Sequence, residues 1–369
     1  MRVRPFVAVA LALSLALVAG CNADGTLRLP TGVVYPSITP VAGTANLTVD
    51  TTFTFEGTPR TLSVVIDGAL YAGAQQAEKS VIRFGKAREN DWISDYYPAF
   101  VFEKHQDAFF SALIGQFRGI RDASGLDSDR YVELMTAYAQ SLEYRLDPQN
   151  LSPKFPVETA AQQAGDCDDK ALLLGGLLAR EGYDVAILLF GPEQHVALGI
   201  KADGLEYGST GYAYIETTTR GLVGMPPDSV GDGTKLSSKP QVFKLGDGTK
   251  RYGAGAQVST ILATADAAKK RADELAGRVK TADTQLATLK ANVSDLKSRM
   301  DGLLASGDTA GYNALVATYN AAADEYNTAA EERNALVSEH NRVVAVHTYI
   351  VEHLDDRAGT FAYLAANPL

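Results

Sequence analysis

The sequence predicts an α+β fold: a small β module, then helices packed on an antiparallel sheet, then an antiparallel helical coiled-coil hairpin. Three observations carry this expectation. Residues 51–72 alternate with period two, residues 102–217 pass from helical apolar stripes to three short strand-like runs, and residues beyond Ser259 repeat apolar side chains at a spacing of four and three. At 46% hydrophobic and 21% charged over 369 residues, the composition is that of a folded chain with two domains, or with one domain and a long appendage.

The first residues read as a targeting segment. Arg2 and Arg4 make a basic start, Phe6 to Val18 is an almost unbroken apolar run, and Leu17-Val18-Ala19-Gly20-Cys21 closes it. A transmembrane anchor would need about 20 apolar residues, so the run is short for a span. The pattern resembles a prokaryotic lipoprotein signal. That resemblance implies cleavage after residue 20, a diacylglyceryl group on Cys21, and an extracytoplasmic protein held to the cell membrane by lipid. Removing Arg2 and Arg4 takes the formal charge from −10 to −12. Such a balance argues against a nucleic-acid partner bound through phosphate contacts.

Residues 21–50, rich in Thr, Pro, Gly and Val, read as a tether. Phe53 and Phe55, then Leu62, Val64 and Ile66, share a parity on either side of Gly57-Thr58-Pro59, which predicts a hairpin. Helical spacing follows in Phe102, Phe109, Phe110, Leu113 and Phe117, and again in Tyr131, Leu134, Met135, Tyr138 and Leu142, with Asp127, Ser128 and Asp129 as N-cap candidates. After Pro153 and Pro156 a third helix opens at Gly165-Asp166-Cys167-Asp168-Asp169-Lys170, carries a leucine stripe, and stops near Glu181-Gly182. Strands are expected at Asp184 to Phe190, His195 to Ile200 and Tyr212 to Thr217. Gly231 to Lys235 and Gly246 to Lys250 repeat an Asp-Gly hairpin signal; the spacing of a calcium-binding EF-hand loop is missing.

From Ile261 through Ala268, Leu275, Ala282, Leu289 and Leu296 to Leu303 the apolar residues trace a coiled-coil seam over six heptads. Ser306 to Gly311 interrupts it, and a second periodic helix carries Tyr312, Tyr319, Tyr326 and Leu336. Two such helices should fold back antiparallel. Asn313, Asn320, Asn327, Asn334 and Asn341 recur every seven residues, each just after a seam position. They are either a polar ladder that locks the register or meets a coiled-coil partner, or a solvated flank, and the solvated flank is the preferred reading. The expected domains are a signal at 1–20, the tether at 21–50, a folded domain at 51–255 with its core at 91–225, the hairpin at 256–356 and a tail at 357–369. A Gly-rich stretch before Ser259 makes the hairpin separable in this reading.

Only two cysteines occur, which excludes a disulfide framework. With Cys21 capped, Cys167 is a free thiol in an oxidising compartment, either a buried apolar residue or a functional one. A catalytic cysteine needs a base nearby and a field favouring thiolate, and a first helical turn supplies that field. Cys167 occupies such a turn, His195 opens a strand after Gly191-Pro192, and Glu216 ends the next one. A His and a carboxylate on neighbouring antiparallel strands can meet on one face. Nucleophile, base and orienter thus follow in chain order. A metal reading of His195 with Asp166, Asp168 and Asp169 is weaker, because adjacent helical residues diverge. His105, His340, His347 and His353 have no nucleophile beside them in sequence and read as structural.

The run from Pro156 to Thr219 resembles the transglutaminase-like domain of the papain-type superfamily, on Glu158-Thr159, Gly165-Asp166-Cys167-Asp168-Asp169, Leu177-Leu178, Glu181-Gly182-Tyr183-Asp184-Val185, His195-Val196-Ala197-Leu198-Gly199 and Tyr214-Ile215-Glu216-Thr217-Thr218. It extends more loosely back to about Asp91. The resemblance implies a papain-like core and a Cys167-His195-Glu216 triad for acyl transfer at a peptide or protein amide, without metal or cofactor. Glu216 stands where Asp is commoner in the family, which lengthens the reach by one methylene. Gln162, Gln163 and the backbone N–H of Cys167 are the oxyanion candidates. Hydrolysis and crosslinking share every step but the last. The competing class is a non-catalytic surface protein whose domain binds peptide-like ligands and whose hairpin mediates assembly. The helix start and His195 favour thiolate while Asp166, Asp168 and Asp169 oppose it, so a modestly lowered thiol pKa is expected.

Overall fold

The computed structural model describes residues 32–84, 92–146, 152–230 and 233–369. Signal and lipidation expectations at residues 1–21 lie outside these residues. In chain order the elements are β1 (Gly32–Val34), β2 (Leu47–Phe55), β3 (Thr58–Ile66), α1 (Gly68–Gln76), β4 (Ile82–Phe84), α2 (Ile93–Val101), α3 (Asp107–Ser124), α4 (Ser128–Ser141), β5 (Glu143–Tyr144), α5 (Pro156–Gln162), β6 (Ala164–Gly165), α6 (Cys167–Arg180), β7 (Val185–Phe190), β8 (His195–Ile200), β9 (Ala213–Ile215), β10 (Gln241–Leu245), α7 (Gly255–Ala305), α8 (Thr309–Glu352) and α9 (Arg357–Ala366). The fold is mixed α+β, with small antiparallel sheets and a long C-terminal helical hairpin. Among the described residues no helix is long and apolar enough to cross a membrane.

The β2–β3 hairpin turns at Glu56-Gly57, one residue earlier than the Gly-Thr-Pro signal suggested, and buries Phe53, Phe55, Leu62, Val64 and Ile66 from alternate positions. The expected tether is shorter than 21–50. β1 pairs with β4, Ile38 is buried in the core, and β2 begins at Leu47. Asp127 caps α4 by accepting from the N–H groups of Asp129 and Arg130.

The main sheet runs β10-β7-β8-β9, all antiparallel. Helix α6 lies against it more closely than side chains usually allow. A Cβ on Gly175 would sit 2.6 Å from Leu245 Cδ1 and one on Gly176 2.5 Å from Phe110 Cζ, so the two glycines let both the sheet and α3 press close on the helix. The second Asp-Gly signal does not make a hairpin. After β10 the chain turns at Gly246 and runs parallel to Tyr183 through a bridge to Lys250, because Thr249 and Lys250 N–H groups find the Gly182 carbonyl. For the first signal, Val230 bridges Thr234, while residues 231 and 232 lie outside the described set.

Helices α7 and α8 pack antiparallel through the expected seam: Ile261, Ala268, Leu275, Leu296, Met300, Ala322 and Val343 are buried. The connection is shorter than six residues, since Asp308 already caps α8 through Gly311 N–H. All five heptad asparagines are exposed. The base of the hairpin departs from expectation. Val258, Ile261, Val346 and Ile350 belong to the main core, and residues 357–366 form a helix rather than a tail. The buried Arg357 donates from Nε to Glu133 Oε1 at 2.6 Å, and Tyr252 Oη donates to the same oxygen at 2.5 Å. Burial pushes the Glu133 carboxyl up to about 7 against the pull of Arg357. The hairpin is therefore an arm whose base is packed into the core.

Candidate active site

Cys167 is the first residue of α6, and its position is fixed from both sides. Asp166 caps the helix, with Asp169 N–H donating to Asp166 Oδ1 at 3.4 Å and Asp166 N–H donating back to Asp169 Oδ2 at 3.3 Å. The segment before the helix is β6, paired in parallel with β5, and Arg145 N–H donates to Gly165 O at 3.0 Å. One turn into α6, the buried Lys170 donates from Nζ to Leu142 O at 2.8 Å, tying the helix start to the end of α4; burial lowers this ammonium to about 8.

His195 opens β8 directly after Gln194, whose φ of 51° turns the chain out of the Gly191 loop. β9 ends at Ile215 opposite Leu198, so this neighbour stops short of Val196. The backbone N–H groups of Val196 and Asp168 lie close enough to the Cys167 thiol to favour its ionised form. The thiol thus lies against the backbone of the residue that follows His195.

Glu216 leaves β9 with its side chain 3% exposed in relative terms, and both oxygens are engaged. Oε1 accepts from Thr217 N at 3.0 Å, Thr218 N at 2.7 Å and Thr218 Oγ1 at 2.5 Å. Oε2 accepts from Tyr214 Oη at 2.7 Å and lies 3.4 Å from His195 Nε2. Burial pushes this carboxyl up, but the nearby His195 imidazole and hydrogen bonds from Thr218 and Tyr214 outweigh it and hold the group down at about 2. Gln140 on α4 fixes the loop behind it, donating from Nε2 to Glu216 O at 2.8 Å and to Gly221 O at 2.9 Å. Arg220 on the same loop pairs with the buried carboxylate of Asp355 at the root of the arm.

Two of the three sequence-named residues come within ion-pair distance, His195 and Glu216, and Cys167 lies close to the strand that carries His195. The expected thiol field is not what forms. Burial, then Asp168 and Asp166, raise the Cys167 thiol to about 12, overcoming the downward pull of the nearby Val196 and Asp168 backbone N–H groups. The helix start that should favour thiolate is instead filled by its own carboxylates. Asp168 is itself raised by burial and by Asp166, and its Oδ1 is buried without a partner. Asp166, Asp168 and Asp169 bring carboxylate oxygens within 4.8 Å of one another, but Asp169 is already engaged by Lys154, through N–H at 2.6 Å and Nζ at 3.0 Å. Asp166 and Asp169 serve the helix start through their reciprocal cap bonds.

The two glutamines do not aim at the thiol. Gln162 Nε2 reaches Tyr71 Oη at 3.4 Å, and Gln163, at φ 50°, donates to Asp50 O at 3.1 Å. The Cys167 N–H, the first orphan donor of α6, is the remaining oxyanion candidate. His105 bonds Glu103, and His353 stacks on Tyr349 and bonds its carbonyl. Tyr214, Gln140, Lys170 and Thr218 were not singled out from the sequence. For Tyr214 a signal existed: it lies two residues before Glu216 in a strand run, hence on the same face.

No family model matches the chain, and neither the curated proteins nor the solved structures contain a match to it.

Proposed function

We propose that this protein is a cysteine-dependent acyl transferase or amidase with a papain-like, transglutaminase-like core, acting on a peptide or protein amide outside the cytoplasm and anchored through lipid on Cys21. The observation that carries the reading is the hydrogen-bonded chain from Glu216 through Tyr214 to His195, with the Cys167 thiol close to the Val196 N–H that follows His195. His195 turns Nε2 toward the carboxylate, which leaves Nδ1 as the nitrogen for the thiol. In the first step Nδ1 takes the Cys167 proton as sulfur attacks the amide carbonyl, and the oxyanion forms at the Cys167 N–H. The imidazolium then gives its proton to the leaving amine, and a thioester remains. Water or a second amine attacks the thioester, loses its proton to His195 and releases the thiol. With the thiol raised to about 12, the resting site holds a neutral thiol, so its proton must leave as sulfur attacks.

That raised thiol pKa favours a second reading, a surface protein that binds peptide-like ligands through this domain and assembles through the arm. An activated ester separates the two. Incubation with 4-nitrophenyl acetate should add one acetyl group to Cys167, read by intact mass and peptide mapping, and none at this position in Cys167→Ser. A wild-type chain that stays unacylated would leave the binding protein as the better reading.

A further inference from the structure

We infer that Tyr214 is the positioning residue of the base: its hydroxyl, rather than the Glu216 carboxylate, directly accepts the His195 imidazole N–H. The inference rests on the acyl-transfer reading for its use in catalysis, but the hydrogen-bond order follows from geometry alone. His195 Nε2 is 2.9 Å from Tyr214 Oη, inside the ordinary N–H···O range, and 3.4 Å from Glu216 Oε2, outside it. Tyr214 Oη is 2.7 Å from Glu216 Oε2. A phenol has one proton to give. Glu216 accepts three hydrogen bonds on Oε1 and is held ionised, so the Tyr214 proton goes to Oε2. The phenol oxygen is then an acceptor only, and the nitrogen facing it must carry a hydrogen. His195 is thereby held as the Nε2–H tautomer, with the Nδ1 lone pair free for the thiol.

The order of these bonds makes an unusual demand on Glu216→Gln. The three donors at Oε1 keep the amide oxygen there and turn the NH2 toward Tyr214. The phenol oxygen would then accept from the amide, its proton would swing to His195 Nε2, and the imidazole would become the Nδ1–H tautomer. The base is inverted through a residue that is itself unchanged.

Nitrogen-15 NMR of chain labelled at histidine, recorded at alkaline pH, reads the tautomer directly. Wild type should give Nε2–H and Glu216→Gln should give Nδ1–H. Tyr214→Phe should lose the hydrogen-bonded ring N–H signal and slow acylation by 4-nitrophenyl acetate about tenfold, the size of one net hydrogen bond. A wild-type Nδ1–H tautomer would overturn the inference without need of a variant. So would a Tyr214→Phe chain whose His195 signal and acylation rate match wild type, since the carboxylate would then hold the imidazole by itself. Wild type that takes no acetyl group contradicts the acyl-transfer reading, while the tautomer still decides the role of Tyr214.

Discussion

The outer arm and the start of α6 are built on opposite principles. Along the arm, a residue's environment follows from its place in the heptad: seam positions are buried or half-buried, and the flanking asparagines lie in solvent. At the start of α6 the environment of Cys167 comes from β5, β8 and its own helix cap, and the supporting Gln140 and Lys170 contacts span 76 and 28 residues of sequence. Local repetition makes an element easy to read and easy to change. Long-range assembly makes a site whose chemistry can run against its local signal, as the raised thiol does.

Cutting the chain after Gly255 gives the largest effect expected. It removes Val258, Ile261, Val346 and Ile350 from the core and leaves Glu133 without Arg357. Near-ultraviolet circular dichroism should show cooperative loss of tertiary structure throughout; a natively packed remainder would restore the arm as a separate module. Arg357→Met is next, at about 3–5 kcal/mol by urea unfolding, because removing one partner strands a buried charge. A cost under about 1 kcal/mol would mean that the arm's root is not locked to α4.

Glu216 supplies a pH signature of the site. Its folded pKa, about 2, lies below the ordinary 4.5, so its stabilisation is fully present above about pH 4.5 and is lost as pH falls toward 2. The shift corresponds to about 3 kcal/mol. Glu216→Gln should flatten this part of the stability profile, measured by urea unfolding across that window, and an unchanged slope would show that the carboxylate is not held by its neighbours. The smallest effect belongs to the arm. Asn327→Ala should change stability by no more than about 0.5 kcal/mol, as an exposed flank residue does. A cost of about 2 kcal/mol would mark the asparagine ladder as a lock on register.

Much of this contrast was legible beforehand. The strands holding His195 and Glu216 and the helix led by Cys167 were placed to within a residue or two, because each carries an apolar run bounded by Gly, Pro or Asp. The heptads gave the arm and its fold-back. The fusion of the arm to the core was hidden: Arg357 and Glu133 are 224 residues apart, and a lone Arg beyond a hairpin carries no sign of burial. The early start of the folded region was hidden too, since only Pro36 and Ile38 are buried ahead of β2, in a Pro-, Thr- and Gly-containing stretch without periodicity. At the site, residue types pointed to nucleophile, base and orienter, but the thiol pKa depends on how deeply Cys167 is covered and on the fields of Asp166 and Asp168, which sequence can name and cannot weigh.

The central claim is that His195 is the base for Cys167. It is tested most directly by the single-turnover rate of Cys167 acylation by 4-nitrophenyl acetate from about pH 5 to about pH 9, in wild type and His195→Ala. The account predicts a wild-type excess of about 100-fold at its maximum, absent from His195→Ala, whose rate should follow thiol ionisation alone. Equal rates across the range would contradict it and show that the thiol and the imidazole do not act together.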